Sequence, residues 1–199
     1  PQPRRPVALA VAALAVLLLA AALVWTKSSR DEPGPRGPAA PAEETAARDN
    51  GDDVPSDWVT YADPRVGYRV AHPPGWQVRT RDGTRTDIVD PGTGSYLRLD
   101  WTASPGPSPE AAWESLSRSF GARHAEYREI RIEPTTFKDF DAAEWEYTYT
   151  DGGARLHAID LGFVTRAHGF ALNFQTHEER WEDSQDIFEA FKASFQVPG

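Results

Sequence analysis

The chain has 199 residues, a formal net charge of −9 and no cysteine. Without cysteine there is no disulfide framework, no thiolate catalysis, no cysteine-ligated zinc or iron–sulfur cluster and no lipidated N-terminal cysteine. The acidic balance argues against nucleic acid as a partner, because phosphate binding relies on clustered lysine and arginine.

Residues 7–25 form the first predicted element, an apolar run of alanine, valine and leucine that ends in one tryptophan. As an α-helix this run measures about 28 Å, close to the ~30 Å hydrocarbon core of a bilayer. A cleaved signal peptide is the main alternative, but its apolar region is normally shorter, at roughly 7–15 residues. We therefore predict a retained transmembrane helix over residues 7–25.

The charge distribution predicts the orientation of this helix. Two basic residues lie on each flank, so the flanks alone do not decide. Residues 1–30 carry four basic and no acidic side chains, whereas residues 31–199 carry 17 basic and 30 acidic ones. We expect a single-pass protein of the plasma membrane, with residues 1–6 as a cytoplasmic juxtamembrane segment and the acidic C-terminal part outside.

Residues 26–56 are rich in proline, glycine and alanine and contain no aromatic residue. Such a segment cannot bury enough apolar area to offset the entropy of ordering, so a disordered linker is predicted. Six of the seven tryptophans and all tyrosines and phenylalanines follow residue 56. Residues 57–199 are therefore predicted to form one extracytoplasmic domain.

The domain begins with short predicted strands and one helix. The strands are expected at residues 58–61, 68–71, 77–80 and 86–89, with a further one at 127–132. Ser108 is predicted to cap the helix, with Pro109 at its first position. The apolar stripe of this helix consists of Ala112, Trp113, Leu116 and Phe120.

Strict alternation of apolar and polar residues then predicts longer strands. Phe170, Leu172 and Phe174 show the pattern in the last of them. The turns at residues 151–153 and 167–169 join these strands into an antiparallel meander. A terminal helix, capped by Asp183 or Ser184, closes the chain with an inner face of Ile187, Phe188, Phe191 and Phe195. The predicted fold class is α+β, an antiparallel sheet with helices packed on it.

At this point a family resemblance becomes visible. The segment YRVAHPPGW at residues 68–76 resembles the "gY-x-V-x-x-P-x-G-W" opening of a PsbP-like family. Agreeing segments follow: PEAAW at 109–113, AEWEY at 143–147, GFALNF at 169–174 and ASF at 193–195. The resemblance implies an α/β/α sandwich and the extracytoplasmic C-terminal domain of an actinobacterial receptor-type serine/threonine protein kinase. The kinase domain itself is absent from this chain, since KDFD at 138–141 lacks the glycine of a kinase motif.

Three residues are candidate ligand-binding positions. Asp160 lies in a strand read as central, and a buried carboxylate is either functional or paired with Arg98 or Arg155. Trp181 is an aromatic residue among charges, so it either anchors a ligand or packs over the sheet edge. His157 lies close to His177 in the predicted sheet, but the histidine spacing does not predict a metal site. The acidic cluster from Glu178 to Asp186 is better explained by the dipole of the helix that follows.

The sequence therefore predicts a sensor or binding module of a single-pass membrane protein, with an unknown envelope ligand or protein as its partner. Signalling through one span and a flexible linker favours ligand-promoted clustering of copies of the chain. An anchored envelope assembly or scaffold protein is the alternative, and a secreted hydrolase is disfavoured because no nucleophile–base pattern is legible. No catalytic residue, metal or cofactor is predicted.

Overall fold

The computed structural model describes residues 53–81 and 83–198. The predicted transmembrane helix over residues 7–25 and most of the predicted linker lie outside the described residues. Within the described residues, no helix combines the length and apolarity that a membrane crossing requires.

Nine strands and two helices make up the described domain. In chain order they are β1 (Val59–Ala62), β2 (Arg69–His72), β3 (Gln77–Thr80), β4 (Thr86–Val89), β5 (Tyr96–Thr102), α1 (Pro109–Gly121), β6 (Arg128–Phe137), β7 (Phe140–Asp151), β8 (Ala154–Val164), β9 (Gly169–His177) and α2 (Gln185–Ser194). Seven strands form one antiparallel sheet in the order β3-β4-β5-β9-β8-β7-β6, and β1 pairs with β2 separately. The predicted antiparallel sheet with two helices is confirmed.

The helix α2 covers one face of the seven-stranded sheet. Because successive strand residues point to opposite faces, alternate residues of β5, β8 and β9 supply the apolar side chains beneath it. The largest of these are fully buried: Leu97, Leu99, Leu161, Phe163, Leu172 and Phe174. The core is completed by Phe188 and Phe191 of α2, by Phe195 just after it, and by Val70 of β2 and Tyr68 just before that strand.

The helix α1 packs on the opposite face, over β6, β7 and β8. Trp113 and Phe120 of α1 form a second, aromatic core with Trp145, Tyr147 and Tyr149 of β7. The Trp113 indole donates a 2.9 Å hydrogen bond to the backbone oxygen of Ala143. The domain is thus a sandwich of helix, sheet and helix, in which α1 covers only part of its face.

The starts of the two helices differ in how closely they follow the predicted caps. The Ser108 hydroxyl accepts a 3.2 Å hydrogen bond from the amide of Ala111, so the predicted cap of α1 is confirmed. At α2 the helix does begin after Ser184, but the Ser184 hydroxyl donates to the carbonyl of Arg180 instead of capping the helix. Two short 3-10 turns over residues 178–184 lead directly into α2 and displace the cap.

Strand β6 runs to Phe137, beyond the predicted end at residue 132. It continues through Pro134, which has no amide hydrogen to donate, and this is tolerated because β6 is the edge strand. The hairpin between β6 and β7 turns through Lys138 and Asp139 with φ of 48° and 67°. Two consecutive left-handed residues suit a tight hairpin turn, although neither is glycine.

Candidate ligand-binding site

A row of polar side chains crosses the face of the sheet that carries α1. The strand register places Asp87 of β4 beside Arg98 of β5, Arg98 beside Asn173 of β9, and Asn173 beside Asp160 of β8. Arg79 of the edge strand β3 extends the row beyond Asp87. We call these five residues the polar row.

The helix α1 leaves much of the polar row uncovered. It contacts β6, β7 and β8, and within the described residues β3, β4 and β5 lie beyond it on this face. The Arg98 side chain keeps 28% of its surface exposed, whereas Asp160 and Asn173 are buried. The row therefore has an accessible end, where the arginines of β3 and β5 flank the buried Asp87, and a deep end beside α1.

Asp160 lies at the deep end of the polar row, as its position in a central strand predicts. Its Oδ2 accepts hydrogen bonds from the Tyr147 hydroxyl at 3.2 Å and from the Asn173 amide nitrogen at 2.9 Å. Burial raises the pKa of Asp160 to about 7, partly opposed by these two donors and by the charge of Arg98. The carboxyl is therefore poised between its neutral and charged forms near neutral pH.

The two arginines considered as partners of Asp160 bind elsewhere. Arg98 donates to Asp87 at 2.8 Å and acts on Asp160 only through its charge. Arg155 donates to the backbone oxygen of Glu126 at 2.7 Å and also contacts Thr148. The expectation of an ion pair at Asp160 is therefore wrong, because tyrosine and asparagine hold its carboxyl instead.

Tyrosine hydroxyls and a glutamine line the sheet next to the polar row. Gln175 Oε1 accepts from Tyr96 at 2.9 Å and from Tyr149 at 2.5 Å. The Arg98 guanidinium lies 4.7 Å from the centre of the Tyr96 ring. Burial raises the pKa of Tyr96 to about 12, so its hydroxyl remains a hydrogen-bond donor at neutral pH.

Arginines gather around Asp87 at the accessible end of the row. Arg98, Arg81 and Arg85 approach its carboxylate at 2.8, 3.4 and 3.6 Å. We call these three arginines the arginine corner. The sequence analysis does not predict this cluster. The signal in the sequence is the period-two spacing of charged residues, at 79 and 81 before the β3–β4 turn and at 85 and 87 after it, which places them on one face of the β3–β4 hairpin.

His157 and Trp181, the other two predicted residues, lie on the face of the sheet that α2 covers. Their rings stack at 3.6 Å with an interplanar angle of 5°, and Trp181 is only 7% exposed. His157 Nε2 lies 2.9 Å from Glu146 Oε1, and its Nδ1 lies 3.0 Å from Glu178 Oε2. The structure thus shows packing for Trp181, and ligand binding by these two residues stays a prediction.

The predicted residues therefore do not converge on one site. Positions 157 and 160 differ by three residues, so the side chains of His157 and Asp160 point to opposite faces of β8. An acid–base pair of these two residues is not formed. Across residues 53–81 and 83–198, no group of three or more histidine, aspartate and glutamate side chains is arranged to hold a metal ion.

Comparison with known proteins gives one family match and several matches to solved structures. Residues 60–197 match the model of a family described as the serine/threonine kinase C-terminal domain. A search of the curated proteins found no match.

Among solved structures, PsbP from the cyanobacterium Synechocystis superposes with a TM-score of 0.60 at 16% identity, covering 81% of this chain and 99% of that one. LpqN of Mycobacterium tuberculosis, a protein involved in cell envelope biogenesis, superposes with a TM-score of 0.52 at 10% identity, covering 71% and 92%. At these identities the likeness shows a shared PsbP-like fold. The family match extends over more than half of the chain, which therefore belongs to the serine/threonine kinase C-terminal domain family.

Proposed function

We propose that this chain is the extracytoplasmic binding domain of a membrane-bound serine/threonine kinase, and that the polar row is its recognition surface. The family supplies the kinase context, because it is described as the C-terminal domain of serine/threonine kinases and not as their catalytic part. The acidic domain behind an apolar run supplies the membrane context. Binding, and not catalysis, is the proposed activity of the chain itself.

The polar row is the observation that carries this proposal. Asp87, Asn173 and Asp160 are each at least nine-tenths buried, although burying a polar group costs free energy unless partners compensate it. The opposite face of the same strands is apolar, so the fold does not require polar residues at the centre of a sheet. These groups are compensated by one another, and a network of buried polar groups that borders a half-open surface is typical of a binding site.

The row and its neighbours offer a directional set of groups to a ligand. Arg98 provides charged donors at the accessible end, and Tyr96 adds an aromatic face beside it. Asn173 and Asp160 provide an amide and a carboxyl at the deep end. Such a surface discriminates between ligands by hydrogen bonding, because an unmatched buried polar group is penalised.

We propose further that binding acts by bringing copies of the chain together. If residues 7–25 cross the membrane and residues 26–56 form the predicted linker, a small rotation of the outer domain would not pass through it, because linkers of this composition act as flexible or semi-rigid spacers. A change in the local concentration of kinase domains does not depend on linker stiffness. Clustering is therefore the output that this architecture favours.

The proposed location is testable with introduced cysteines, since the native chain has none. Ser115→Cys places a thiol on an exposed position of α1, and Gln2→Cys places one in the segment predicted to be cytoplasmic. In intact bacterial cells, a membrane-impermeant maleimide is expected to label the first variant and to spare the second until lysis. Labelling of the second variant alone would contradict an extracytoplasmic domain.

The proposed recognition is testable with the same thiol as a fluorophore site. Donor- and acceptor-labelled copies of the Ser115→Cys chain are placed in phosphatidylcholine vesicles, and host envelope extract is added. Förster transfer is expected to rise, and to rise less when Tyr96→Ala removes the aromatic face beside Arg98. The Arg118→Gln variant, altered at an exposed position of α1, serves as the matched control. No change in transfer for the unaltered chain would contradict clustering and favour a scaffold role.

A further inference from the structure

The arginine corner is a positively charged patch on an acidic protein. The whole chain carries a net charge of −9, yet three arginines share the single carboxylate of Asp87. Arg79, paired with Asp87 across the β3–β4 ladder and exposed, adds a further positive charge at the edge. Asp87 offsets one of these positive charges, and the remaining like charges repel one another, which favours the approach of a further anion.

The corner also holds hydrogen-bond donors that its own residues do not use. Arg81 and Arg98 reach Asp87 through Nε, and the hydrogen bonds within the described residues use no other nitrogen of either side chain. Arg85 Nε is buried and lies 3.6 Å from Asp87 Oδ1, so it faces the shared carboxylate without making a hydrogen bond within the described residues. Within the described residues, the terminal guanidinium nitrogens of Arg81 and Arg98 therefore remain for an acceptor from outside the corner.

The corner is accessible to a ligand. The Arg81 side chain is 45% exposed and the Arg98 side chain 28%, while Arg85 is 14% exposed and lies deeper. Arg81 and Arg85 lie in the connection between β3 and β4, and Arg98 lies in β5, on the part of the sheet beyond α1. An incoming group therefore meets guanidinium groups at the surface and finds another one beneath them.

We propose that the arginine corner binds an oxyanion, a phosphate or carboxylate group carried by a hydroxylated ligand, whose uncharged part lies along the polar row. The planar guanidinium group offers paired donors that match the oxygens of phosphate and carboxylate. This inference rests on the proposed function and names the ligand class for the same surface.

The rest of the polar row suits the uncharged part of such a ligand. Next to Arg98 come the Tyr96 ring, which offers an apolar face, and the amides of Asn173 and Gln175. Hydroxyl groups both donate and accept hydrogen bonds, so they match amide and tyrosine partners in either direction. A sugar or another polyol that bears one anionic group presents this combination.

Two sources present the same chemistry, namely a phosphorylated sugar and the polyol phosphate headgroup of a lipid. Glucose 6-phosphate represents the first source and glycerol 1-phosphate the second. Unmodified glucose carries the hydroxyl groups without the anion. The ratio of the two phosphate affinities indicates the source, and the comparison with glucose tests the corner itself.

The test is isothermal titration calorimetry, in which each compound is titrated into the full chain. The chain is held in micelles of octaethylene glycol monododecyl ether, a detergent without a sugar headgroup. We expect at least one of the two phosphates to bind, and glucose to bind about tenfold or more weakly. Arg81→Gln and Arg98→Gln are each expected to weaken phosphate binding by about tenfold, and raising the salt from about 0.05 M to about 0.5 M is expected to weaken it as well. The Arg118→Gln variant is expected to bind as the unaltered chain does.

Three results would overturn the inference. The first is that neither phosphate gives a heat of binding. The second is that glucose and glucose 6-phosphate bind with equal affinity. The third is that both corner variants bind phosphate with unchanged affinity while circular dichroism shows them folded. Arg81 is the safer variant for folding, because nearly half of its side chain is exposed. If envelope extract still raises Förster transfer while the phosphates fail to bind, the inference falls and the proposed function survives.

Discussion

The two faces of the seven-stranded sheet are built from the same strands but have opposite character. In β9, Phe170, Leu172 and Phe174 point towards α2 and are at most 5% exposed. Asn173 and Gln175 alternate with them and point to the other face, where they bond to Asp160 and to tyrosine hydroxyls. One strand thus supplies an apolar core and a polar surface at a spacing of one residue.

The same contrast holds in β5. Leu97 and Leu99 are buried in the α2-side core, while Tyr96 and Arg98 lie on the opposite face and keep part of their surface exposed. The α2 side is closed by a helix and by the β1–β2 pair, whereas the α1 side is closed over β6 to β8 only. The α2 side is therefore a closed core throughout, whereas the α1 side combines an aromatic core with an open part, which is the part proposed for recognition.

The largest expected effect on the free energy of unfolding comes from a substitution on the apolar face. Leu172→Ala removes a fully buried side chain from β9 and is expected to lower the free energy of unfolding by about 3–5 kcal/mol, because it leaves a cavity. Its neighbour Asn173→Ala is expected to cost only about 1–2 kcal/mol, through the lost hydrogen bond to Asp160. Urea denaturation followed by tryptophan fluorescence measures both. Equal losses would contradict the division of roles between the faces.

The second effect concerns Asp160 and pH. Its pKa is raised from 3.8 in the unfolded chain to about 7 in the fold, so the folded chain holds a proton that the unfolded chain releases between these values. The free energy of unfolding therefore falls as pH rises from about 4 to about 7, and the full penalty persists above pH 7.

Asp160→Asn keeps an acceptor oxygen for Tyr147 and Asn173 but has no charge to bury. The variant is expected to be more stable than the unaltered chain by about 2–4 kcal/mol at pH 8, and by little at pH 4. Urea denaturation at a series of pH values measures the difference. A loss of stability at pH 8 would show that the charged carboxylate is favourable in the fold and would contradict this account.

The third effect tests how closely α1 approaches the sheet. A Cβ atom at Gly162 would lie 2.6 Å from the Trp113 ring, and that ring is held by its bond to Ala143. Gly162→Ala is therefore expected to cost about 1–3 kcal/mol through overpacking. Gly106→Ala, where a Cβ meets nothing within 4 Å, is the matched control and is expected to cost nothing. A neutral Gly162→Ala would indicate that α1 is free to shift.

The smallest effect concerns the start of α1. Ser108→Ala removes the side-chain acceptor for the Ala111 amide and is expected to cost about 1 kcal/mol. Ser115→Ala, at an exposed position within the same helix, is expected to be neutral or slightly stabilising. Thermal unfolding by circular dichroism compares them. A larger loss for Ser115→Ala than for Ser108→Ala would contradict the assigned cap.

Much of the fold was predictable because its signals are local. Alternation along β9, the glycine turn after β7 and the serine–proline start of α1 each lie within a few residues of chain. The turn through Lys138 and Asp139 was missed because both residues adopt positive φ without being glycine. The length of β6 was missed because proline normally argues against a strand, and its edge position follows only from the complete sheet order.

The candidate site was less predictable because it is assembled by non-local register. The burial of Asp160 follows from its apolar neighbours in sequence, and this expectation was correct. Its partners Tyr147 and Asn173 come from two other strands, and only the pairing of β7, β8 and β9 brings them together. The arginine corner likewise requires the register of β3, β4 and β5.

The central claim is that recognition occurs on the half-open face beside α1, and two tyrosines report on the two sides. Tyr96 lies next to the polar row, while Tyr61 of β1 packs against the α2-side core, and both are half-buried. Hydroxyl-radical footprinting of the full chain in vesicles, with and without envelope extract, measures the oxidation of each ring by mass spectrometry. The account predicts that the extract lowers oxidation of Tyr96 and leaves that of Tyr61 unchanged. Protection of Tyr61 with no change at Tyr96 would contradict it.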